Sequence, residues 1–212
     1  GVDADAGAVV LNVTALNAAG PGHVTVFPCG EEQPEASSVN YAPGGVYPNA
    51  VVSKVGVDGT VCFFTHATID LIVDVNGAFP AVSEFDPLVP ARLVETRQGP
   101  KNVTVDHLFE GDGPVAGGSV LAVKVAGRGG VDADAGAVVL NVTALNAAGP
   151  GHVTVFPCGE EQPEASSVNY APGGVFPNAV VSKVGVDGTV CFFTHATIDL
   201  IVDVNGAFPA VS

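Results

Sequence analysis

Residues 130–212 repeat residues 1–83 with one difference, Phe176 in place of Tyr47. Two stretches this alike must reach the same fold, so any difference between them has to come from their surroundings. Between them lie residues 84–129, which occur once. The resulting period of 129 residues is well above the roughly 20–50 residues of solenoid and propeller repeats. It has the size of a whole domain, and the chain reads as a length of a tandem domain array.

Within each copy the pattern is that of short strands. AVVLNVT (8–14) alternates Val9, Leu11 and Val13 with Val10, Asn12 and Thr14, the period-2 signature of a strand. HVTVFP (23–28), SSVNYA (37–42), AVVSKVG (50–56), TVCFFTH (60–66) and ATIDLIVDVNGAF (67–79) follow as further strands. Gly-Pro-Gly at 20–22 and the stretch PGGVYPN (43–49) read as turns, and Asp58-Gly59 reads as a tight hairpin joining the fourth and fifth strands. In the insert, ARLVETR (91–97) and SVLAVKVAG (119–127) are strand-like. Strands at this spacing predict an all-β fold, an antiparallel β-sandwich or jelly-roll-like domain in tandem repeat.

The unit can be cut in two ways, with the insert joined to the body before it or to the body after it. Pro80, Pro87 and Pro90 make residues 79–91 a semi-extended linker. That favours a complete unit at 84–212, preceded by a partial one at 1–83. The partial unit would then expose strand edges and an apolar face. An insert donated by a neighbouring molecule, or a swapped array, would cover them.

Charge sharpens this division. The chain carries 22 acidic and 7 basic residues, a formal charge of −15, which argues against a nucleic-acid partner. Each body has a single base, Lys54 or Lys183, whereas the insert holds Arg92, Arg97, Lys101, Lys124 and Arg128. The simplest expectation is that the insert sets its arginines against carboxylates of a body. No apolar run approaches the roughly 18 residues that would suggest membrane insertion.

The cysteines fall two per body, Cys29 with Cys62 and Cys158 with Cys191, each pair 33 residues apart and without CxxC metal spacing. A disulfide within each body is the main reading, worth on the order of 3 kcal/mol and implying an oxidising, exported location. Buried free thiols are the alternative.

The order ARLVETR, AVVLNVTALN, GHVTVFPCG, SSVNYAPGG and GTVCFFTHATIDLIVDVNGAF resembles the tandem β-repeat domain of exported actinobacterial proteins. Those repeats start with a P-x-R-L-L-D-T-R-like motif, pass through VVLNVT and close on a DLIVDVNG-like motif. The likeness covers 84–212 and, in 1–83, the C-terminal two-thirds of a unit; Glu95 and Ala78 depart from it. It implies a secreted or cell-surface module and no particular reaction.

Candidate sites follow from residue chemistry. Arg92, Glu95 and Arg97 suit ion pairing with Asp199 and Asp203, or with their first-copy equivalents Asp70 and Asp74, because the guanidinium fork fits carboxylates. Acid–base work by the same carboxylates is the functional alternative. Tyr41 and Tyr47, with Tyr170 and Phe176, bracket a Pro-Gly-Gly turn and form a candidate ligand loop for glycan. Lys54 and Lys183 are candidates for a covalent cross-link, or for protecting edge strands. Asp3 and Asp5 resemble the opening of a calcium loop without its later ligands; no cofactor is expected beyond weak Ca²⁺ binding. The histidines lack metal-ligand spacing. The expected function is a structural stalk or spacer of an exported bacterial surface protein that contacts neighbouring repeats or other copies of itself, with a glycan- or surface-binding adhesion module as the alternative and no enzymatic role.

Overall fold

The computed structural model describes residues 2–210 and is β almost throughout. The first copy forms β1 (Ala6–Leu16), β2 (Gly22–Pro28), β3 (Val39–Tyr41), β4 (Val46–Lys54), β5 (Val61–Thr65) and β6 (Asp70–Pro80). The insert adds β7 (Asp86–Glu95) and β8 (Ser119–Lys124). The second copy forms β9 (Ala135–Leu145), β10 (Gly151–Pro157), β11 (Val168–Tyr170), β12 (Val175–Lys183), β13 (Thr189–Thr194) and β14 (Asp199–Pro209).

Each copy is an antiparallel β-sandwich. In the first, the sheet β4-β1-β6 faces β3-β2-β5; in the second, β12-β9-β14-β7 faces β11-β10-β13-β8. The insert thus supplies one edge strand to each sheet of the copy that follows it, β7 on β14 and β8 on β13. Among the described residues the corresponding edges of the first copy, β6 and β5, carry no such neighbour.

Alternation decides what is buried. Val138, Leu140, Val142 and Ala144 of β9 point into the second sandwich and meet Leu200, Val202 and Val204 of β14, with Leu93, Val123, Val125 and Phe192 completing the core. The first copy builds the same centre from Val9, Leu11, Val13, Val24, Val26 and Val39. Disulfides Cys29–Cys62 and Cys158–Cys191, with Cα atoms 5.0 and 5.1 Å apart, tie the end of the second strand of each copy to the fifth. Two such bonds fit an oxidising environment.

Three local expectations are corrected. The stretch 43–49 is not all turn, since β4 begins at Val46 and includes Pro48 opposite Thr14. Pro is tolerated there because β4 is an edge strand and the missing N–H faces away from β1. Pro87 and Pro90 likewise lie in the edge strand β7, so the connector shrinks to residues 81–85. Asp58-Gly59 does make a tight turn, with Asp58 at φ 55°. It does not close a hairpin, because β4 pairs with β1 and β5 pairs with β2 in the opposite sheet.

The DVNG motif has a structural reason. The register of β14 slips by one residue at Asn205 against β9, a β-bulge that directs Asn205 and Gly206 outward together. Gly206 then leaves the seat for Phe85, whose ring would lie 2.3 Å from a Cβ built there. At the equivalent Gly77 nothing lies within 4 Å. Gly206→Ala should therefore destabilise the second sandwich by about 1–3 kcal/mol. Gly77→Ala should stay within roughly 0.5 kcal/mol of the parent. Denaturant melts of the two variants check this, and equal effects would contradict it.

Candidate functional site

The functional geometry is concentrated where the insert, the second copy and the first copy meet. Arg92 lies on β7 opposite Asp203 of β14. Its Nε donates to Asp203 Oδ1 at 2.9 Å, and its Nη1 donates to Glu95 Oε2 at 3.2 Å. Residues three apart on a regular strand face opposite sides. Here the register slips between Val94 and Arg92, leaving Leu93 as the extra residue and bringing Arg92 and Glu95 to one face. Arg97 closes on Glu95 through two bonds, Nε to Oε1 at 2.8 Å and Nη2 to Oε2 at 2.7 Å. Thr96 Oγ1 donates to Asp199 Oδ1 at 2.9 Å and accepts from the Leu200 amide at 2.9 Å. The RLVETR motif is thus a clasp for the DLIVD motif, each polar residue meeting a partner on or beside it.

Burial opposes the charge on Arg92, but the adjacent Asp203 and Glu95 outweigh it and hold the guanidinium pKa above its ordinary value. Arg97 is raised chiefly by its bonds to Glu95. Among the described residues only Arg92 of the insert arginines pairs with a body carboxylate: contrary to expectation Arg97 pairs with Glu95 and not with Asp199 or Asp203, and Arg128 binds Asp106 within the insert, at 2.6 and 2.7 Å. The first-copy carboxylates stand differently. Asp70 accepts from Asn17 at 2.7 Å, as Asp199 does from Asn146 at 2.8 Å, whereas Asp74 is exposed. Among the described residues no cation lies in salt-bridge range of Asp74.

The outer face of β9 and β14 is covered by the first copy. The Ser37 amide donates to Asp203 Oδ2 at 3.0 Å. Asn49 Nδ2 donates to Asn141 Oδ1 at 2.8 Å and to Ser38 O at 2.7 Å, and Asn141 Nδ2 returns a bond to Ser37 O. Asn205, aimed outward by the bulge, donates to Val52 O at 3.3 Å. Beside this polar seam, Ala8, Val52 and Phe79 of the first copy pack on Phe85, Val139 and Phe208. At about 1 kcal/mol net per bond, the four crossing hydrogen bonds and this apolar cluster make a specific joint.

The hydrogen bonding of the joint is one-sided, although equivalent elements also face each other across it, β4 against β12 and Phe79 against Phe208. Among the described residues every crossing bond runs between the β3–β4 side of the first copy and the β9–β14 side of the second. The equivalents of the first partner, Ser166, Asn178 and Val181, remain exposed, Val181 at 67%. Asn178 already donates to Ser167 O at 2.7 Å, the bond that orients Asn49 in the joint.

The other candidates fall elsewhere. Tyr41 and Tyr170 are buried, each accepting a backbone amide at its hydroxyl, from Ala67 and Ala196, at 2.9 Å. Tyr47 and Phe176 are half-buried against the two cores and share a groove between the copies with Asn40, Asn169 and Asn178. Lys54 and Lys183 end the edge strands β4 and β12. Asp3 and Asp5 lie on an exposed turn. His23 and His66 stack with centroids 5.6 Å apart. Burial, then His66 and Arg92, lower the pKa of His23 below 6.5. Ser37, Asn49, Asn141, Asn205 and Phe85 were not singled out from sequence. A visible signal was present for one of them: Asn141, like its equivalent Asn12, interrupts a run of apolar strand residues on the side that also carries Asp203 or Asp74.

Neither the protein-family profiles nor the curated proteins compared with this chain contain a match.

Two predictions follow from this geometry. Arg92→Met leaves Asp203 and Glu95 buried without their shared cation and should cost about 3 kcal/mol or more. Asp74→Asn, in the exposed equivalent position, should be near neutral; calorimetric melts separate the two, and similar shifts would contradict the assignment. Because His23 resists protonation when folded, the unfolded chain takes up that proton first as pH falls below 6.5. This contribution to stability is therefore present above 6.5 and is lost between 6.5 and the lower folded pKa. His23→Gln should remove that part of the pH dependence in denaturant titrations.

Proposed function

We propose that this chain is a structural tandem-repeat module, a stalk or spacer, of an exported bacterial surface protein. The observation that carries the reading is the one-sided hydrogen bonding between the copies. These bonds join residues that are not each other's equivalents, and bonding of that kind does not close on itself and propagates as repeats are added. The second copy keeps Ser166 and Val181 exposed, the equivalents of the Ser37 and Val52 that the first copy spends on the joint. Stacking units this way sets a defined spacing without a flexible tether, which is what a spacer requires. The two disulfides support an exported setting. The reading includes no catalysis: Asp203 and Glu95 are taken up by arginines, and Asp199 by Thr96 and Asn146.

A glycan- or surface-binding adhesion module is the second reading. It draws on the groove of about 380 Å³ between the copies, where Tyr47 and Phe176 stand among asparagines, a combination of apolar faces and amides suited to sugars.

Spin labels on exposed positions of the two copies test the first reading. Pulsed dipolar spectroscopy should give one narrow distance distribution, which Asn49→Asp, placing a carboxylate against the Asn141 and Ser38 oxygens, broadens. A broad distribution in the parent chain would overturn the spacer reading. Reproducible micromolar binding to one sugar class on a glycan array, lost in Tyr47→Ala, would favour the second.

A further inference from the structure

β6 and β14 have the same sequence, and β5 and β13 share VCFFT, yet they meet different surroundings. Ile201 and Val204 are 4% and 0% exposed, whereas Ile72 and Val75 are 48% and 55% exposed. On the inner side, Val9, Leu11, Val61, Phe63, Val73 and Val75 line an open groove of about 680 Å³. Their equivalents in the second copy, from Val138 to Val204, are at most 1% exposed beneath Leu93, Val94, Val123 and Val125. The groove is thus the space that β7 and β8 fill in the other copy.

From this we infer that the β5–β6 edge is a docking site for a polypeptide with the sequence of the insert, residues 84–129, bound as two strands. The inference rests on the tandem-repeat reading and names the partner it implies. The occupant is identified by what already sits on the identical strands. Its Arg92 position faces Asp74, its Val94 position faces Val73 and its Ala91 position faces Val75, by the register of β7 on β14. Its Leu121 and Ala122 positions face Phe63 and Cys62, by the register of β8 on β13. Gly77 holds open the seat that Phe85 occupies over Gly206. Charge agrees: Asp3 and Asp58 stand on the groove, and the insert carries five of the seven bases of the chain. A strand exchange between two whole chains is disfavoured, since each insert that leaves β14 opens the edge it left. The occupant is therefore an insert not already paired to a body, and one joined directly ahead of β1 would enter as the insert enters β9.

The test is to titrate a synthetic peptide of residues 84–129 into the full chain and to follow the amide resonances of β5 and β6. Saturable one-to-one binding is expected, with shifts confined to β5, β6 and the groove. Asp74→Ala should weaken it at least about tenfold, through loss of a charge-assisted bond, and this residue is exposed in the parent chain, so folding is spared. Should the free peptide aggregate, the same 46 residues fused ahead of residue 1 provide the second measurement, and the β6 amides should then match those of β14. Unchanged β6 amides in the fusion, binding indifferent to Asp74→Ala, or a parent chain that dimerises through β6 would each overturn the proposal. The spin-label distances between the copies do not depend on the groove, so either proposal can fail while the other stands.

Discussion

The buried pairing of Arg92 with Asp203 holds this molecule together at the point where its three parts meet. Arg92 belongs to the insert, Asp203 belongs to the second body, and the second carboxylate oxygen of Asp203 receives the Ser37 amide of the first body. A carboxylate in this position would be strongly unfavourable without its cation. The pair therefore makes the docking of the insert a condition for burying the face on which the first copy rests. Docking of β7 on β14 and packing of the first copy on that face are thus coupled through one carboxylate.

The two copies act as an internal experiment on context. The same eleven residues form a strand in both places, so backbone conformation is set by local alternation and by pairing with β1 or β9. Burial is not local. It is set by the presence of β7 and β8, which close one sandwich and are missing from the edge of the other. The exposed apolar residues of β6 are a consequence of this arithmetic of strands, and edges of this kind invite pairing.

Much of the fold was legible because its determinants are short in range. Alternation in AVVLNVT gave β1 and its faces, and Cys29 and Cys62 sat in segments that become paired strands. What was not legible depended on through-space position. Pro48, Pro87 and Pro90 looked like breakers and are edge-strand residues, which only the strand order reveals. Asp58-Gly59 looked like a hairpin turn and is a crossing between sheets. Arg92 and Asp203 stood out as charges in apolar stretches, whereas Asn49 read as an ordinary turn residue and Ser37 as the first residue of a short strand, because their partners lie 92 and 166 positions away.

The central claim is that identical strands differ in stability only through what covers them. Amide hydrogen exchange resolved by NMR on the parent chain measures this directly, since intrinsic exchange rates of β6 and β14 are equal by sequence. The amides of Leu200, Val202 and Val204 should exchange far more slowly than those of Leu71, Val73 and Val75. Equal protection in the two strands would contradict the account.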